Sequence, residues 1–114
     1  MAGPFRGEVW SADLDPTRGR EQAGKRPVLI VSTDRFNEGP AELVVIVPIT
    51  SKGKGIPWHV PVKAGRDAGL TKDSFIMCEA IRCVARERLG KRLGEITVPT
   101  QVEVETRLRI LLEI

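Results

Sequence analysis

The order of apolar and polar residues predicts a chain built mainly from β-strands. Residues 7–14 (GEVWSADL) alternate well enough to form a half-buried strand. Residues 26–33 (RPVLIVST) and 41–50 (AELVVIVPIT) are nearly unbroken runs of β-branched and apolar residues, which are typical of central strands. Three further strand-forming stretches complete the predicted sheet, at 58–62, 74–85 and 92–98.

The C-terminal residues change from the strand period to the helix period. From Thr100 onward the sequence predicts an amphipathic helix, with Thr97 or Thr100 as its N-cap and Pro99 near its start. Glu and Arg residues fill the side opposite the recurring apolar positions, which are Val104, Leu108, Leu111 and Leu112. One helix on a small, curved and mainly antiparallel sheet predicts a single mainly β domain of the barrel type, spanning residues 1–114.

Loops separate the predicted strands, and two of them are long and polar. Residues 15–24 (DPTRGREQAG) contain Asp-Pro and two glycines, and residues 51–57 (SKGKGIP) form a basic loop. Long ordered loops of this kind tend to carry function. By contrast, residues 34–40 (DRFNEGP) leave room for a single helical turn at most, and Pro61 favours an edge position for the strand at 58–62.

Composition narrows the class of protein without naming a function. Apolar residues make up 41% of the 114 residues and charged residues 29%, as in an ordinary globular protein. The net charge of +3, with a pI of about 9.2, permits nucleic-acid binding but does not require it. The sequence has neither a signal-peptide stretch nor an apolar run of membrane-spanning length, so we expect a cytoplasmic protein with no membrane part.

The sequence contains no motif for a metal ion or a cofactor. His59 is the only histidine, and Cys78 and Cys83 have neither zinc-site nor CxxC spacing. Any Ser-His-Asp or Cys-His arrangement would have to use His59, and a lone histidine is more often a structural or binding group. We therefore expect no metal, no cofactor and two reduced thiols.

Polar residues at strand ends remain as candidates for chemistry. If the strands at 26–33 and 41–50 pair antiparallel, Arg26 at the start of one lies beside Thr50 at the end of the other. The lysines nearby make this rim suitable for a phosphate. As alternatives, Thr50 is an ordinary strand residue and the lysines are solvated. Arg26 could instead form a salt bridge at the strand mouth, with a partner among Asp13, Asp15 and Glu79.

Three segments together resemble a known family. They are GEVWSADLDPTRGREQAGKRPVLIVS (7–32), VPITSKGKGIPWHVPV (47–62) and GLTKDSFIMCEAIRCV (69–84). The chain resembles the MazF/PemK (Kid) family of toxin endoribonucleases from about Gly7 to the C-terminal helix. By motif match, the catalytic arginine of the family falls on Arg26 of KRP and its catalytic threonine on Thr50 of PITS.

The resemblance implies a fold, a reaction and partners. The implied fold is a small SH3-like antiparallel barrel of the CcdB/PemK type with a C-terminal α-helix, and it forms homodimers. The implied enzyme is a metal-independent ribonuclease that cuts single-stranded RNA at a short preferred sequence and leaves 2′,3′-cyclic phosphate and 5′-hydroxyl ends. A cognate antitoxin would inhibit it by lying across the RNA groove.

In such a reaction the 2′-hydroxyl of the RNA is the nucleophile, so the protein must align it and stabilise charge on the phosphorane. An arginine side chain is neutral at pH 7 in on the order of 10⁻⁵ of molecules, which would cost roughly 7 kcal/mol if it acted as the base. Arg26 is therefore assigned chiefly to phosphorane stabilisation, with proton donation to the departing 5′ oxygen as an additional role. Glu21 is the candidate base, because a carboxylate in a partly desolvated groove can take up a proton. Its alternative role is to read a base edge.

Other residues of the resembling segments are candidates for binding RNA. Trp58 offers a stacking platform if it faces outward, and its alternative role is core packing. The full set of candidate RNA-binding residues is Gln22, Lys25, Ser51, Lys52, Lys54, Trp58, His59, Glu79 and Arg82.

Two other functions fit the same fold. A CcdB-like toxin binds DNA gyrase without catalysis, and an RNA-binding barrel could have lost cleavage. The EQAGKRP loop and the PITS segment favour the nuclease, because a protein that only binds does not need the paired Arg26 and Thr50.

Overall fold

The computed structural model describes residues 3–15 and 24–114. These residues form seven strands and two helices. In chain order they are β1 (Glu8–Asp13), β2 (Lys25–Ile30), α1 (Asp34–Asn37), β3 (Leu43–Thr50), β4 (His59–Val62), β5 (Ser74–Met77), β6 (Arg82–Ala85), β7 (Leu89–Glu95) and α2 (Val98–Leu112).

The strands form an antiparallel sheet in the order β4-β5-β3-β2-β1-β7, with β6 paired to β3 outside this order. The prediction of a mainly antiparallel β fold with a C-terminal helix is confirmed. In the part of the chain that the structure describes, the sheet is not closed, because its first and last strands do not pair. Pro61 lies in β4 at one end of this order, as its missing N–H predicts.

Apolar side chains divide between two buried clusters. Leu29 belongs to one cluster, whereas its neighbours Val28 and Ile30 belong to the other, as expected when successive residues of a strand point to opposite faces. Helix α2 covers the first cluster and contributes the fully buried Val104. The unbroken apolar runs of β2 and β3 are therefore explained by burial on both faces.

The prediction of one long strand at 74–85 is wrong. The chain leaves the extended conformation after β5, and Cys78–Ala80 form a single turn of 3₁₀ helix before β6 begins. The reason is a change of register along β3. Continuing the β6 register would set Ile49 opposite residue 79, but Ile49 pairs with Ile76, so the turn takes up three extra residues.

The boundaries of other elements also differ from the prediction. Strand β7 spans Leu89–Glu95 rather than 92–98, and α2 begins at Val98, before Thr100. The N-cap is Thr97, whose hydroxyl accepts the N–H of Thr100 at 3.4 Å. Pro99 fits this earlier start because an N–H in the first helical turn has no partner within the helix.

The two helices differ in length, with 4 residues in α1 and 15 in α2. Helix α1 is the single turn that the sequence predicts, and its N-cap Thr33 accepts the N–H of Phe36 at 3.3 Å. Among the described residues, no helix is long and apolar enough to cross a membrane.

The outer side of α2 differs from the prediction. Charged residues are present there, but so are exposed apolar side chains. Leu112, which was predicted for the buried side, is 47% exposed. Val98, Val102 and Ile110 are exposed by 77%, 52% and 61%.

The buried carboxylate of Glu8 joins three parts of the chain. Its Oε1 accepts the backbone N–H of Phe5 at 2.7 Å and the indole Nε1–H of Trp10 at 3.0 Å. Its Oε2 accepts Nε–H of Arg92 at 2.5 Å, which ties β1 to β7. Burial alone would raise the pKa of Glu8, but these hydrogen bonds together hold it below its ordinary value.

Candidate functional site

The start of β2 and the end of β3 lie at the same end of the sheet. The two strands pair antiparallel, with Val28 opposite Pro48 as the last pair of their ladder at this end. Continuing that register by two positions sets Arg26 opposite Thr50. Both residues are half-buried, and both line one depression. We call this depression the rim pocket; its remaining lining residues are Pro27, Ile49, Ser51, Lys52, Leu70, Thr71, Lys72 and Ser74.

The hydroxyl of Thr50 is held by the loop that follows it. Oγ1 of Thr50 accepts the backbone N–H of Lys52 at 3.1 Å. Threonine often forms such a local hydrogen bond between its side chain and the backbone where the chain turns. Because a hydroxyl can accept and donate at once, this contact leaves its proton for another acceptor. Thr50 can therefore present a fixed O–H donor in the rim pocket.

Glu21 and Gln22 lie outside the described residues. The chain on either side of their loop is closely tied: the N–H of Leu14 donates to the carbonyl of Gly24 at 3.0 Å, and the N–H of Gly24 donates to Oδ1 of Asp15 at 2.9 Å. The exposed Lys25 follows directly and pairs with Asp13 of β1.

A second depression adjoins the rim pocket, and the two share Thr50 and Lys52. We call it the corner pocket, because the turn between β5 and β6 forms one wall. It contains four of the sequence-predicted RNA-binding residues besides Lys52, namely Lys54, His59, Glu79 and Arg82. Its other lining residues are Pro48, Met77, Ala80 and Ile81.

His59 and Glu79 form the central polar contact of the corner pocket. Nε2 of His59 lies 2.8 Å from Oε2 of Glu79, and the imidazole is 3% exposed against 32% for the carboxylate side chain. Nδ1 of His59 is buried and has no hydrogen-bond partner among the described residues. Since a carboxylate only accepts, Nε2 carries the proton in this pair. This histidine is a fixed hydrogen-bonding group in the wall of the corner pocket, and its RNA-binding role stays a prediction.

Arg82 is the first residue of β6 and pairs with Ile46 of β3. Its Nη1 is buried and has no hydrogen-bond partner in the part of the chain that the structure describes. Arg82 also lines the corner pocket, and its forked guanidinium is suited to acceptors that a ligand brings.

The basic loop after β3 packs against an aromatic ring. A Cβ atom added to Gly53 would lie 2.6 Å from two ring carbons of Phe75, so only glycine allows this approach. Phe75 pairs with Thr50 across the sheet, and its ring centroid lies 6.3 Å from that of His59. Strand periodicity does not reveal this supporting role of Phe75, because the role depends on the register of β5.

Two predicted RNA-binding residues lie outside both pockets. Trp58 is half-buried before β4, and its carbonyl accepts the N–H of Cys78 at 3.3 Å. Lys25 lines a separate small depression beside Asp13 and Arg88. Ser51, by contrast, is exposed and lines the rim pocket.

The thiols are not part of the site chemistry. Cys78 is buried, and burial raises the pKa of its thiol to about 11. Cys83 is exposed, and both cysteines are free. Among the described residues, no group of three or more His, Cys, Asp or Glu side chains is placed to hold a metal ion.

Comparison with known proteins gives the family. Residues 5–112 match the model of a family described as the PemK-like, MazF-like toxins of type II toxin-antitoxin systems. The chain belongs to this family. The resemblance seen in the KRP and PITS segments is thereby confirmed for nearly the whole chain.

Individual MazF proteins are similar over almost their full length. The chain is 35% identical over 114 residues to Endoribonuclease MazF9 of Mycobacterium tuberculosis, with 96% of both proteins covered. Its fold matches a crystal structure of MazF from Deinococcus radiodurans with a TM-score of 0.86, at 28% identity and 97% coverage of both chains. It also matches a mycobacterial endoribonuclease in complex with its cognate antitoxin, with a TM-score of 0.76, 30% identity, and coverage of 100% of this chain and 97% of the other. These relatives confirm the prediction of an endoribonuclease.

Proposed function

We propose that this member of the PemK/MazF family cuts single-stranded RNA at a short preferred sequence through a 2′,3′-cyclic phosphate, without a metal ion. The observation that carries the proposal is the rim pocket, where Arg26 and Thr50 lie at the common end of β2 and β3. A cation and a hydroxyl on rigid strands suit a phosphate that passes through a five-coordinate state.

The reaction needs no nucleophile from the protein. The 2′ oxygen forms a bond to phosphorus and gives up its proton to a base, while the bond from phosphorus to the 5′ oxygen breaks. The departing oxygen takes up a proton from Arg26 or from solvent. The products are a 2′,3′-cyclic phosphate and a 5′-hydroxyl, and atoms and charge balance.

Arg26 and Thr50 act on the charge that develops in this step. The forked guanidinium of Arg26 donates to the equatorial phosphorane oxygens, which carry more charge in the transition state than in the substrate. The hydroxyl of Thr50, fixed by the N–H of Lys52, donates to the same group. Glu21, outside the described residues, is the proposed base.

The lysines and the corner pocket extend the binding surface beyond the reacting phosphate. Lys52 and Lys54 are exposed and line the corner pocket, where they can contact the RNA backbone. Binding should therefore weaken as salt rises, since each neutralised phosphate releases counterions.

Two protein partners belong to the proposal. One is a cognate antitoxin that covers the RNA surface, as suggested by the mycobacterial relative whose structure contains its antitoxin. The other is a second copy of the chain, and the exposed apolar side chains of α2 support a homodimer. The cytoplasmic location stays a prediction.

The test uses purified protein in EDTA with a mixed-sequence RNA and a DNA of the same sequence. We expect discrete RNA fragments with cyclic phosphate and 5′-hydroxyl ends and no cutting of the DNA. A 2′-deoxy nucleotide placed at one cleavage site should stop cutting there, because it removes the nucleophile.

Arg26→Ala should lower the rate of cutting by at least ~100-fold if Arg26 stabilises the transition state as oxyanion donors do. Arg35→Ala is the matched control, since Arg35 is exposed on α1. Equal rates for the two variants would overturn the role given to Arg26. Intact RNA after incubation with the wild-type protein would overturn the proposed function, and inhibition of DNA gyrase would then support the CcdB-like alternative.

A further inference from the structure

We propose that the corner pocket holds a cytosine of the RNA by its Watson–Crick edge, so that the preferred cleavage sequence contains cytosine at one fixed position. The inference rests on the proposed ribonuclease function and specifies its substrate. It is carried by the charges of Glu79 and Arg82, which line one pocket together.

Glu79 and Arg82 carry opposite charges but do not form an ion pair with each other. Among the described residues, Glu79 is paired with His59 at 2.8 Å and not with Arg82, although all three line the same cleft. Opposite charges that share a cleft without an ion pair between them leave both an acceptor and a donor for a ligand.

The carboxylate of Glu79 offers one free oxygen in a fixed direction. Oε2 accepts the Nε2–H of His59, whose side chain is 3% exposed. Oε1 has no partner among the described residues, and the side chain is 32% exposed. Glu79 can therefore accept one further hydrogen bond, and the contact to His59 sets its orientation.

The guanidinium of Arg82 offers hydrogen-bond donors in the same pocket. Arg82 is half-buried and lines the corner pocket, so its guanidinium can contribute N–H donors to a bound ligand. Arginine presents parallel N–H groups, so it suits two neighbouring acceptors on a planar ring.

Among the four bases, cytosine fits this set best. Its edge carries one amino donor, N4, followed by the acceptors N3 and O2, which match one carboxylate oxygen and one guanidinium fork. Uracil places a carbonyl where cytosine has the amino group, so it would face the carboxylate with an acceptor. The Watson–Crick edge of guanine carries two donors, N1–H and N2–H, which would need two acceptors. Adenine carries only one acceptor on this edge, N1, so half of the guanidinium fork would have no partner.

The size and walls of the pocket agree with one unpaired base. It has a volume of about 440 Å³, and Met77, Ile81 and Pro48 provide apolar surface for the faces of a ring. It adjoins the rim pocket through Thr50, so the base it holds belongs to a nucleotide close to the reacting phosphate.

The experiment compares cleavage sequences. All cut sites in a long mixed-sequence RNA are mapped for the wild-type protein and for Glu79→Gln. A glutamine keeps an acceptor towards His59 and adds an amide donor, which can pair with the carbonyl of uracil. We expect one position of the wild-type motif to favour cytosine over uracil by roughly 5- to 150-fold in kcat/KM, and this preference to disappear in Glu79→Gln while the other positions stay the same.

A second experiment tests the amino group of the base alone. It uses a short RNA in which pyrimidin-2-one replaces that cytosine, so that only the amino group is removed. The wild-type protein should lose roughly the same factor on this substrate, and Glu79→Gln should lose little. Glu87→Gln and Arg66→Lys are matched controls, because both residues are exposed and lie outside the two pockets. Both should cut like the wild type.

The outcomes separate the two proposals. If the wild-type protein cuts RNA with cyclic-phosphate ends but its motif has no position that favours cytosine, the cytosine assignment is wrong and the ribonuclease stands. The same holds if Glu79→Gln keeps the preference. If the wild-type protein cuts no RNA, both proposals fail.

Discussion

Among single residues, Glu8 joins segments that are far apart in the sequence. Its carboxylate holds the N–H of Phe5, the indole of Trp10 and the guanidinium of Arg92, so that the N-terminal segment and β7 are fixed to β1. A carboxyl whose pKa is lower in the folded than in the unfolded chain stabilises the fold above its ordinary pKa of about 4.3. That contribution is lost as the pH falls through the folded pKa.

We therefore expect the thermal midpoint of the wild-type protein to fall as the pH is lowered from about 5 to about 3. Glu8→Gln should unfold with roughly 1–3 kcal/mol less free energy at pH 7, because it loses the charged hydrogen bond to Arg92. It should also lose part of the acid sensitivity. Thermal melts across this pH range check both points, with Glu87→Gln as an exposed control. Parallel pH curves for wild type and Glu8→Gln would contradict the assignment.

Single residues also show which parts of the candidate site could be predicted from the sequence. The position of Arg26 beside Thr50 follows from antiparallel pairing of two strands that the pattern predicts well. The pair formed by His59 and Glu79 does not follow in this way, because it depends on a turn that strand periodicity cannot reveal. Side-chain partners across elements are set by register, and one residue of slip changes them all.

Among the elements, the basic loop after β3 has the most direct connection with the site. It joins Thr50 to β4, it carries Lys52 and Lys54, and its Gly53 lies against the ring of Phe75. The loop is thus held by a contact that leaves no space for a side chain.

Gly53→Ala should displace this loop, since the added Cβ would meet the ring of Phe75 at 2.6 Å. We expect kcat/KM for RNA to fall by roughly 10- to 100-fold as the lysines and the hydroxyl of Thr50 lose their alignment. Phe75→Leu in the same chain should restore part of the activity, because a smaller side chain makes space for the methyl group. Single and double variants measured on one RNA substrate give the coupling. A double variant no better than Gly53→Ala would show that the ring contact does not position the loop.

The strands and the C-terminal helix could be predicted from the sequence where their hydrophobic periodicity is clear. The continuous runs of β2 and β3 and the change to a helical period before α2 are strong signals. The turn at Cys78–Ala80 is different, since SFIMCEAIRCVA is mostly apolar and contains no Gly or Pro that would mark a break. It arises because β5 and β6 pair with β3 in registers that differ by three residues, and a non-local mismatch leaves no mark in a local pattern.

In the whole molecule, α2 has apolar residues on both sides. Val104 is fully buried and faces the core, while Val102 and Ile110 are more than half exposed on the opposite side. Exposed apolar surface of this kind often marks a protein–protein interaction site. A second copy of the chain is the proposed cover.

Ile110→Glu should convert such a dimer to a monomer, because it would place a charge in an apolar interface. Light scattering coupled to size exclusion would then give the 12.6 kDa of one chain instead of twice that mass. Phe36→Glu is the control, since it adds the same charge at another exposed apolar side chain, on α1. A wild-type protein that already has the mass of one chain would rule out the homodimer.

The turn between β5 and β6 also bears on how such a chain can evolve. Neither ladder along β3 uses the residues at 79–81, so substitutions there leave the inter-strand pairing of the scaffold intact. On the proposal above, part of the base preference depends on Glu79, which lies in this stretch outside both ladders. Proteins that descend from one ancestral gene can therefore diverge in the RNA sequences that they cut while their architecture stays the same.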